Sequence, residues 1–317
     1  MIRILTKTSI EDVYSLQEQS KRAYFRLLNE VIEKSDIILE VLDARDPLNC
    51  RSKEIESKIS GQNKKLILIL NKCDLIPLEN VQKWASYLKR EYPTIIFKAN
   101  TQKEIGGRTD ISLHAMNNLT FEKKKEMVET MLGSQKSVGG DNLLQLLKNY
   151  CRKDDIKTSV IVGVIGYPNV GKSSLINSLK RTHATAVSNV PGLTKSIQEV
   201  HLDKDIRLLD CPGIVFTKEC SGSLILRNVI KVEDLDDPYT PIDLLIKKVP
   251  KDNLVKLYQI STFNTTQEFL ALVARKRGKL MKGGIPDYDK AAKVVLHDWN
   301  NGKITYHTEP PEEAMTN

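Results

Sequence analysis

Five short groups of residues have the types and spacing to hold a nucleotide. Gly166-x-x-x-x-Gly171-Lys172-Ser173 follows an apolar run and precedes the helix pattern SLINSLK, which is the context a phosphate loop requires. Its glycines let backbone N–H groups point at phosphate oxygens, and the helix N-terminus adds partial positive charge. Lys172 is placed to reach the β- and γ-phosphates and Ser173 to ligate Mg²⁺, with Asn169, Val170, Gly171 and Ser174 completing the loop. The plainer alternative is a Gly-rich turn joining strand to helix. Asp210-x-x-Gly213 lies 37 residues past Ser173, where an Asp at a strand end can hold the same Mg²⁺ through water and the Gly213 amide can sense a γ-phosphate. Between them Pro191-Gly192-Leu193-Thr194 offers Thr194 as a second metal hydroxyl, or an ordinary turn residue.

Asn71-Lys72-Cys73-Asp74 answers a different need. Asp74 can accept from guanine N1–H and the N2 amino group together, which adenine cannot supply. Asn71 can support the loop and donate to the base edge, and the Lys72 stem can cover the ring. Lys98-Ala99-Asn100 ends the next apolar run. There a backbone N–H from Ala99 or Asn100 could meet guanine O6, although an ordinary strand end reads almost as well. The order is unusual, with base readers first, the phosphate loop almost a hundred residues later, and the metal Asp last. A parallel sheet sets its ligand loops at the carboxyl ends of its strands whatever the chain order, and termini lying close together permit circular permutation.

The elements that must position these groups alternate along the chain. DIILEVLD (36–43), KLILILN (65–71), TIIFKAN (94–100) and SVIVGVIG (159–166) read as buried parallel strands. A helix is expected over 78–91, where Val81, Trp84, Tyr87 and Leu88 recur at helical spacing, and another over NLLQLLKNYC behind a capping Asp141. IQEVHL and DIRLLD read as a hairpin about Leu202 to Lys204, and 102–140 as a long polar loop with a helical piece near 121–132. Strands alternating with helices predict a three-layer α/β sheet. In the 317-residue chain the sequence suggests a helical segment at 1–30, a nucleotide domain at 31–217 and a smaller, mainly helical unit at 218–317.

Bulk properties exclude more than they assign. Charged residues make up 28% and the hydrophobic set 40%, an ordinary globular composition. A formal net charge of +8 hints at a polyanionic partner. The cysteines at 50, 73, 151, 211 and 220 never form CxxC and argue for a reducing compartment rather than disulfides or zinc. Charges interrupt the first residues, against a signal peptide, and no apolar run is long enough to cross a bilayer. These features read as an intracellular, soluble protein with no membrane partner.

Beyond the nucleotide motifs, SDIILEVLDARDPLNCR (35–51), FKANTQ (97–102), VGVIGYPNVGKSSLINSLK (162–180), PGLTKS (191–196) and LLDCPGIV (208–215) stand in this order. LVARKRGKLMKGGIPDYDKAAKVVLHDW (272–299) and TEPPEE (308–313) follow. Together they resemble the circularly permuted GTPases of ribosome assembly, with nucleostemin and its nucleostemin-like relatives the best match, across nearly the whole chain. The resemblance implies a GTPase acting on precursors of the large ribosomal subunit in the nucleus or nucleolus. Family members carry a long basic segment ahead of the GTPase domain, whereas about thirty residues precede the first strand pattern here.

Three further readings remain open. Ras-like enzymes place a glutamine after the DxxG glycine to orient water, but Ile214 stands there, so slow intrinsic turnover is expected. Asn169 matches the asparagine that ligates potassium in related GTPases, where such an ion could stabilise transition-state charge; it can equally be a turn former. With Lys172 and Thr194, Asn169 is a candidate catalytic group. Asp43-Ala44-Arg45-Asp46-Pro47 should lie near the nucleotide face with no assignable chemical step, or serve as a structural brace for the switch region. Finally, Arg275, Lys276, Arg277, Lys279 and Lys282 surround a Gly-containing turn between two helix patterns. They form a candidate rRNA patch or a solvated helix end. The function is then a switching GTPase or a nucleotide-gated scaffold in which hydrolysis is incidental.

Overall fold

The computed structural model describes residues 25–99, 110–111, 137–151, 159–180, 196–213, 226, 232, 235 and 237–311. A helix through residues 25–34 (α1) leads into β1 (Ile37–Asp43), α2 (Lys53–Gly61), β2 (Lys65–Asn71), α3 (Leu78–Lys89) and β3 (Thr94–Ile96). A short parallel pair follows, β4 (Asp110–Ile111) with β5 (Ser137–Val138), and then α4 (Gly140–Cys151). Next come β6 (Val160–Ile165), α5 (Lys172–Lys180), β7 (Gln198–Asp203) and β8 (Ile206–Asp210). Four helices complete the order: α6 (Tyr239–Lys248), α7 (Lys251–Tyr258), α8 (Thr266–Lys276) and α9 (Tyr288–Asn300).

The main sheet has six strands in the order β3-β2-β1-β6-β8-β7, parallel except for the β7 edge. β1 and β2 are continuous apolar runs because both faces are covered; every residue of β1 is buried. Right-handed crossovers put α2 and α3 on one face and α4 and α5 on the other, because the strand order reverses between β1 and β6. Loops diverge at such a reversal and leave a crevice at the strands' carboxyl ends. Asp43 ends β1 and Gly166 follows β6, so topology alone brings these two loops to one crevice.

Local chemistry accounts for departures from the sequence reading. Asp141 lies inside the first turn of α4 rather than at its cap, where its charge favours the positive end of the helix dipole. The hairpin turn falls at Lys204-Asp205, at the later end of the expected Leu202 to Lys204 turn, with a register shift between His201 and Asp203. The third strand is only Thr94–Ile96, and the long polar segment contributes β4 and β5; the expected helix near 121–132 lies outside the described residues. Residues 25–34 form one helix across the boundary drawn at residue 30, and Leu28, Val31 and Ile32 join the sheet core. Gly163 permits this docking, since a Cβ there would lie 2.6 Å from Ser35 Oγ and 2.8 Å from Val31 Cγ1.

A buried ionic cluster ties α2 to the sheet. Arg51 donates to Glu56 at 2.7 and 2.6 Å and to Glu91 at 2.7 Å, with its side chain 2% exposed. Glu40, in the middle of β1, is held well above the usual carboxylate range by burial and by Glu56 beside it. Arg51 is the residue that balances the Glu56 charge. Arg51→Met strands the Glu56 charge without a partner and should cost about 3–5 kcal/mol, read as a lower urea midpoint with unchanged slope.

A second core gathers Leu245, Phe269, Leu270, Val273, Val295 and Trp299 from α6, α8 and α9. It meets the sheet at defined points. Thr308 donates from its N–H and Oγ1 to Arg45 O at 2.9 and 3.1 Å, and Trp84 Nε1 donates to Thr308 O at 2.8 Å. Lys248 and Tyr306 both reach Asp46 Oδ2 at 3.4 Å. The tail after α9 thus straps the helical unit onto the loop that follows β1.

Candidate nucleotide site

Asn71 and the phosphate loop, 99 residues apart, are interlocked. Asn71 Nδ2 donates to Val170 O at 2.7 Å. Gly171, at φ 101, leaves room for that side chain, because a Cβ there would lie 2.2 Å from Asn71 Nδ2. Lys72 Nζ donates to Asn169 O at 2.6 Å. Both Lys72 (φ 62) and Asn169 (φ 58) adopt left-handed backbone, a conformation costly for lysine and persisting where surroundings enforce it. At Asn169 the turn-forming role is therefore visible in the backbone itself. Asp74, three residues past the strand end, is exposed, as a group must be to meet a base.

Lys172 opens α5 and is buried, donating to Gly166 O at 3.1 Å and Tyr167 O at 2.8 Å. Burial pushes its ammonium below the usual range although Asp210 lies near. A bound phosphate would reverse that cost by supplying the missing negative charge. Ser173 Oγ donates to Asp210 Oδ2 at 2.8 Å. Asp210 Oδ1 is buried without a hydrogen-bond partner among the described residues, and burial raises its carboxyl against the pull of Lys172 and Ser173. An orphaned carboxylate oxygen beside a serine hydroxyl is a hard-oxygen set that fits a magnesium ion. Gly213 packs against the loop from the far side, since a Cβ would come 2.6 Å from Pro168 Cα and 3.0 Å from Lys172 Nζ.

The structure therefore brings Asn71, Lys72, Asn169, Val170, Gly171, Lys172, Ser173, Asp210 and Gly213 to one crevice. Ser174 lies in the first turn of α5 and Ala99 is half-buried. Thr194, Asn100 and Ile214 lie outside the described residues.

Asp43, expected near the nucleotide face without an assigned role, acquires one here. Asp43 accepts from Arg45 Nε and NH2 at 3.0 and 2.7 Å and from Lys72 Nζ at 2.9 Å. Burial alone would raise its carboxyl, but Lys72 and Arg45 outweigh this and hold it far below the usual range. The loop after β1 thus clamps the residue expected to cover the base. Its place at the end of a strand and within the Asp43–Pro47 stretch drew attention to it in the sequence, but neither signal names the partner.

Sheet order and rotated motif order together define a circularly permuted P-loop GTPase domain. Residues 161–275 match the family described as "50S ribosome-binding GTPase". The chain is 49% identical over 97% of its length to the guanine nucleotide-binding protein-like NSN1 of Arabidopsis thaliana, covering 53% of that protein. It is 39% identical over 90% of its length to the nuclear GTP-binding protein NUG1 of Saccharomyces cerevisiae, covering 56% of that protein. The GNP-bound YlqF of T. maritima shares the fold, with TM-score 0.57 and 23% identity over 92% of this chain and 99% of that one. The chain belongs to the nucleostemin-like family of circularly permuted GTP-binding proteins. It spans about half the length of the curated relatives it matches.

Proposed function

We propose that the protein binds GTP with Mg²⁺, hydrolyses it slowly, and acts as a switch in assembly of the large ribosomal subunit in the nucleus, within the nucleolus. The observation that carries this reading is the interlock of the guanine loop with the phosphate loop, Asn71 to Val170 O and Lys72 to Asn169 O. A generic Gly-rich turn has no use for it. Asp74 reads the base, with Ala99 and Asn100 presenting backbone N–H groups to its O6 edge. Lys172 and the amides of Val170 to Ser174 hold the phosphates. Ser173, Asp210 and Thr194 hold magnesium, which when bound would neutralise charge on the phosphates. The relatives' names, a nuclear GTP-binding protein and GTP-binding homologues, support the compartment and the nucleotide. The family description supports the ribosomal partner. Arg275, Lys276, Lys279 and Lys282 form the rRNA contact. Arg277 contributes less, being 3.9 Å from Asp298 and seated over Tyr258.

The test is GTP turnover in potassium and in sodium, with and without purified large-subunit precursors. We expect slow basal turnover, stimulation by precursors, and faster hydrolysis in potassium, with Asn169→Ala removing the difference between salts. Equal rates in both salts leave Asn169 as a turn former. Saturable GTP binding with no turnover under any condition assigns the chain to the scaffold class.

A further inference from the structure

The turn between α8 and α9 combines features that the nucleotide site does not use. Gly278 (φ 64) stops α8, and Lys279 N–H returns to Ala274 O at 2.8 Å. The chain then forms a tight hairpin. Leu280 pairs with Pro286, Met281 N–H donates to Ile285 O at 2.8 Å, Gly284 N–H to Met281 O at 3.2 Å, and Asp287 N–H to Lys279 O at 2.9 Å. Gly283 and Gly284 take φ 86 and 76, which a side chain would resist. Asp287 caps α9 by accepting from Lys290 N–H at 3.1 Å. The turn is therefore tied at both ends and across its middle.

On this fixed support stand Leu280, Met281 and Ile285, which are 43%, 51% and 55% exposed. Exposed large apolar side chains grouped on one turn mark a contact surface more often than scattered ones do. The cations beside them are equally unspent. Arg275, Lys276, Lys279 and Lys282 make no ion pair among the described residues. The local acid Asp287 is occupied by its cap and by Lys290 at 2.8 Å. Apolar tips ringed by uncommitted cations are complementary to a polyanion that also offers exposed apolar faces.

Paired RNA offers phosphates, hydroxyls and the polar edges of stacked bases, whereas bulged or looped RNA also exposes base faces. Aliphatic side chains can wedge against an unstacked base while neighbouring cations hold the flanking phosphates. We infer that the Leu280–Ile285 turn is a wedge that recognises an unpaired, unstacked nucleotide in structured RNA, with Arg275, Lys276, Lys279 and Lys282 gripping the backbone on either side. This rests on the proposed rRNA contact and gives it a structural preference that charge alone lacks. Because the turn is preorganised, little ordering entropy opposes insertion.

The test uses the full chain and two synthetic RNA hairpins of equal length. One is fully paired, and the other carries a single bulged 2-aminopurine. Affinities are measured across a salt series. The wild type should bind the bulged hairpin roughly tenfold more tightly, the scale expected for burying part of an aliphatic cluster, and should change the 2-aminopurine fluorescence. Leu280→Ser/Met281→Ser/Ile285→Ser, all at exposed positions, should bring that ratio to about one and abolish the fluorescence change while keeping the salt slope. Arg275→Ala/Lys276→Ala/Lys279→Ala/Lys282→Ala should weaken both hairpins and flatten the salt slope. If the serine variant keeps the ratio, the wedge is overturned while the RNA contact stands. If the wild type binds neither hairpin, the RNA contact itself fails and the wedge with it. Vesicles of phosphatidylserine and phosphatidylcholine form the third arm. Binding to them that the serine variant loses, with no bulge preference in the wild type, would assign the turn to a membrane surface instead.

Discussion

Asp74→Asn will exchange the protein's preference for GTP for one toward xanthosine triphosphate. The native carboxylate faces two donors on guanine, N1–H and the N2 amino group. The asparagine amide supplies a donor where xanthine carries an oxygen. Bonds to a charged acceptor contribute about 1.5–3 kcal/mol each, so losing two costs GTP on the order of a hundredfold in affinity or more. The geometry favours a clean result, because Asp74 is exposed and lies beyond the strand, so the substitution leaves the core untouched. Asn71 and Lys72, which join this loop to the phosphate loop, keep their contacts. Nucleotide affinities of the variant, measured by competition, decide the matter; unchanged preference for GTP would remove Asp74 from the base site.

Much of this was legible from residue types, and the pattern of success has physical reasons. β1, β2 and β6 were readable because strands buried on both faces are continuous apolar runs, and their ends fell within a residue of the sequence reading. The phosphate loop was readable because its chemistry demands glycines and a lysine at fixed spacing. The short third strand and the β7–β8 turn were less so, because strand ends depend on neighbours that a local pattern does not contain. Asp43 shows the deeper limit. An aspartate at a strand's end tells nothing of a lysine 29 residues away until β1 and β2 pair in register and set Asp43 opposite Asn71. The ionic group of Glu40, Arg51 and Glu56 was hidden likewise, since a glutamate in a buried strand reads as a flaw in the pattern until its partner from α2 is placed. The apolar tip of the α8–α9 turn is the converse case. Only the charges and glycines of this turn carried weight in the sequence, and the fold shows Leu280, Met281 and Ile285 exposed among them.

Asp43→Asn will weaken GTP binding by roughly tenfold without the substituted residue contacting the nucleotide, and it will do so through Lys72. In the native clamp, Lys72 Nζ is held between Asp43 Oδ2 and Asn169 O, which fixes the stem that covers the base. Neutralising Asp43 halves the clamp and leaves Arg45, tied to the same carboxylate, without its counter-charge. Truncating a buried pair costs about 3 kcal/mol of stability as well, so affinity and stability must be separated. A double-mutant cycle does this. Lys72→Met keeps an apolar stem over the base and removes the ammonium. If Asp43 acts through Lys72, the double variant will bind GTP no more weakly than Lys72→Met alone, while its urea midpoint still falls. Independent effects on affinity would place the role of Asp43 elsewhere. The pH dependence supplies a second check, with its sign set by the depressed carboxyl. A group whose folded pKa lies below its unfolded value stabilises fully above the unfolded pKa, about 3.9 for aspartate. That stability disappears only as pH falls further. The wild type should therefore lose the clamp's contribution only in strong acid, and Asp43→Asn should remove that portion of the acid sensitivity while leaving the stability curve near neutrality displaced but parallel. Because Thr308 binds the Arg45 carbonyl, the helical unit meets this clamp at the loop that follows β1. Removing the hydroxyl bond of the strap with Thr308→Ala should then reproduce a fraction of the affinity loss in the wild type and none of it in Lys72→Met.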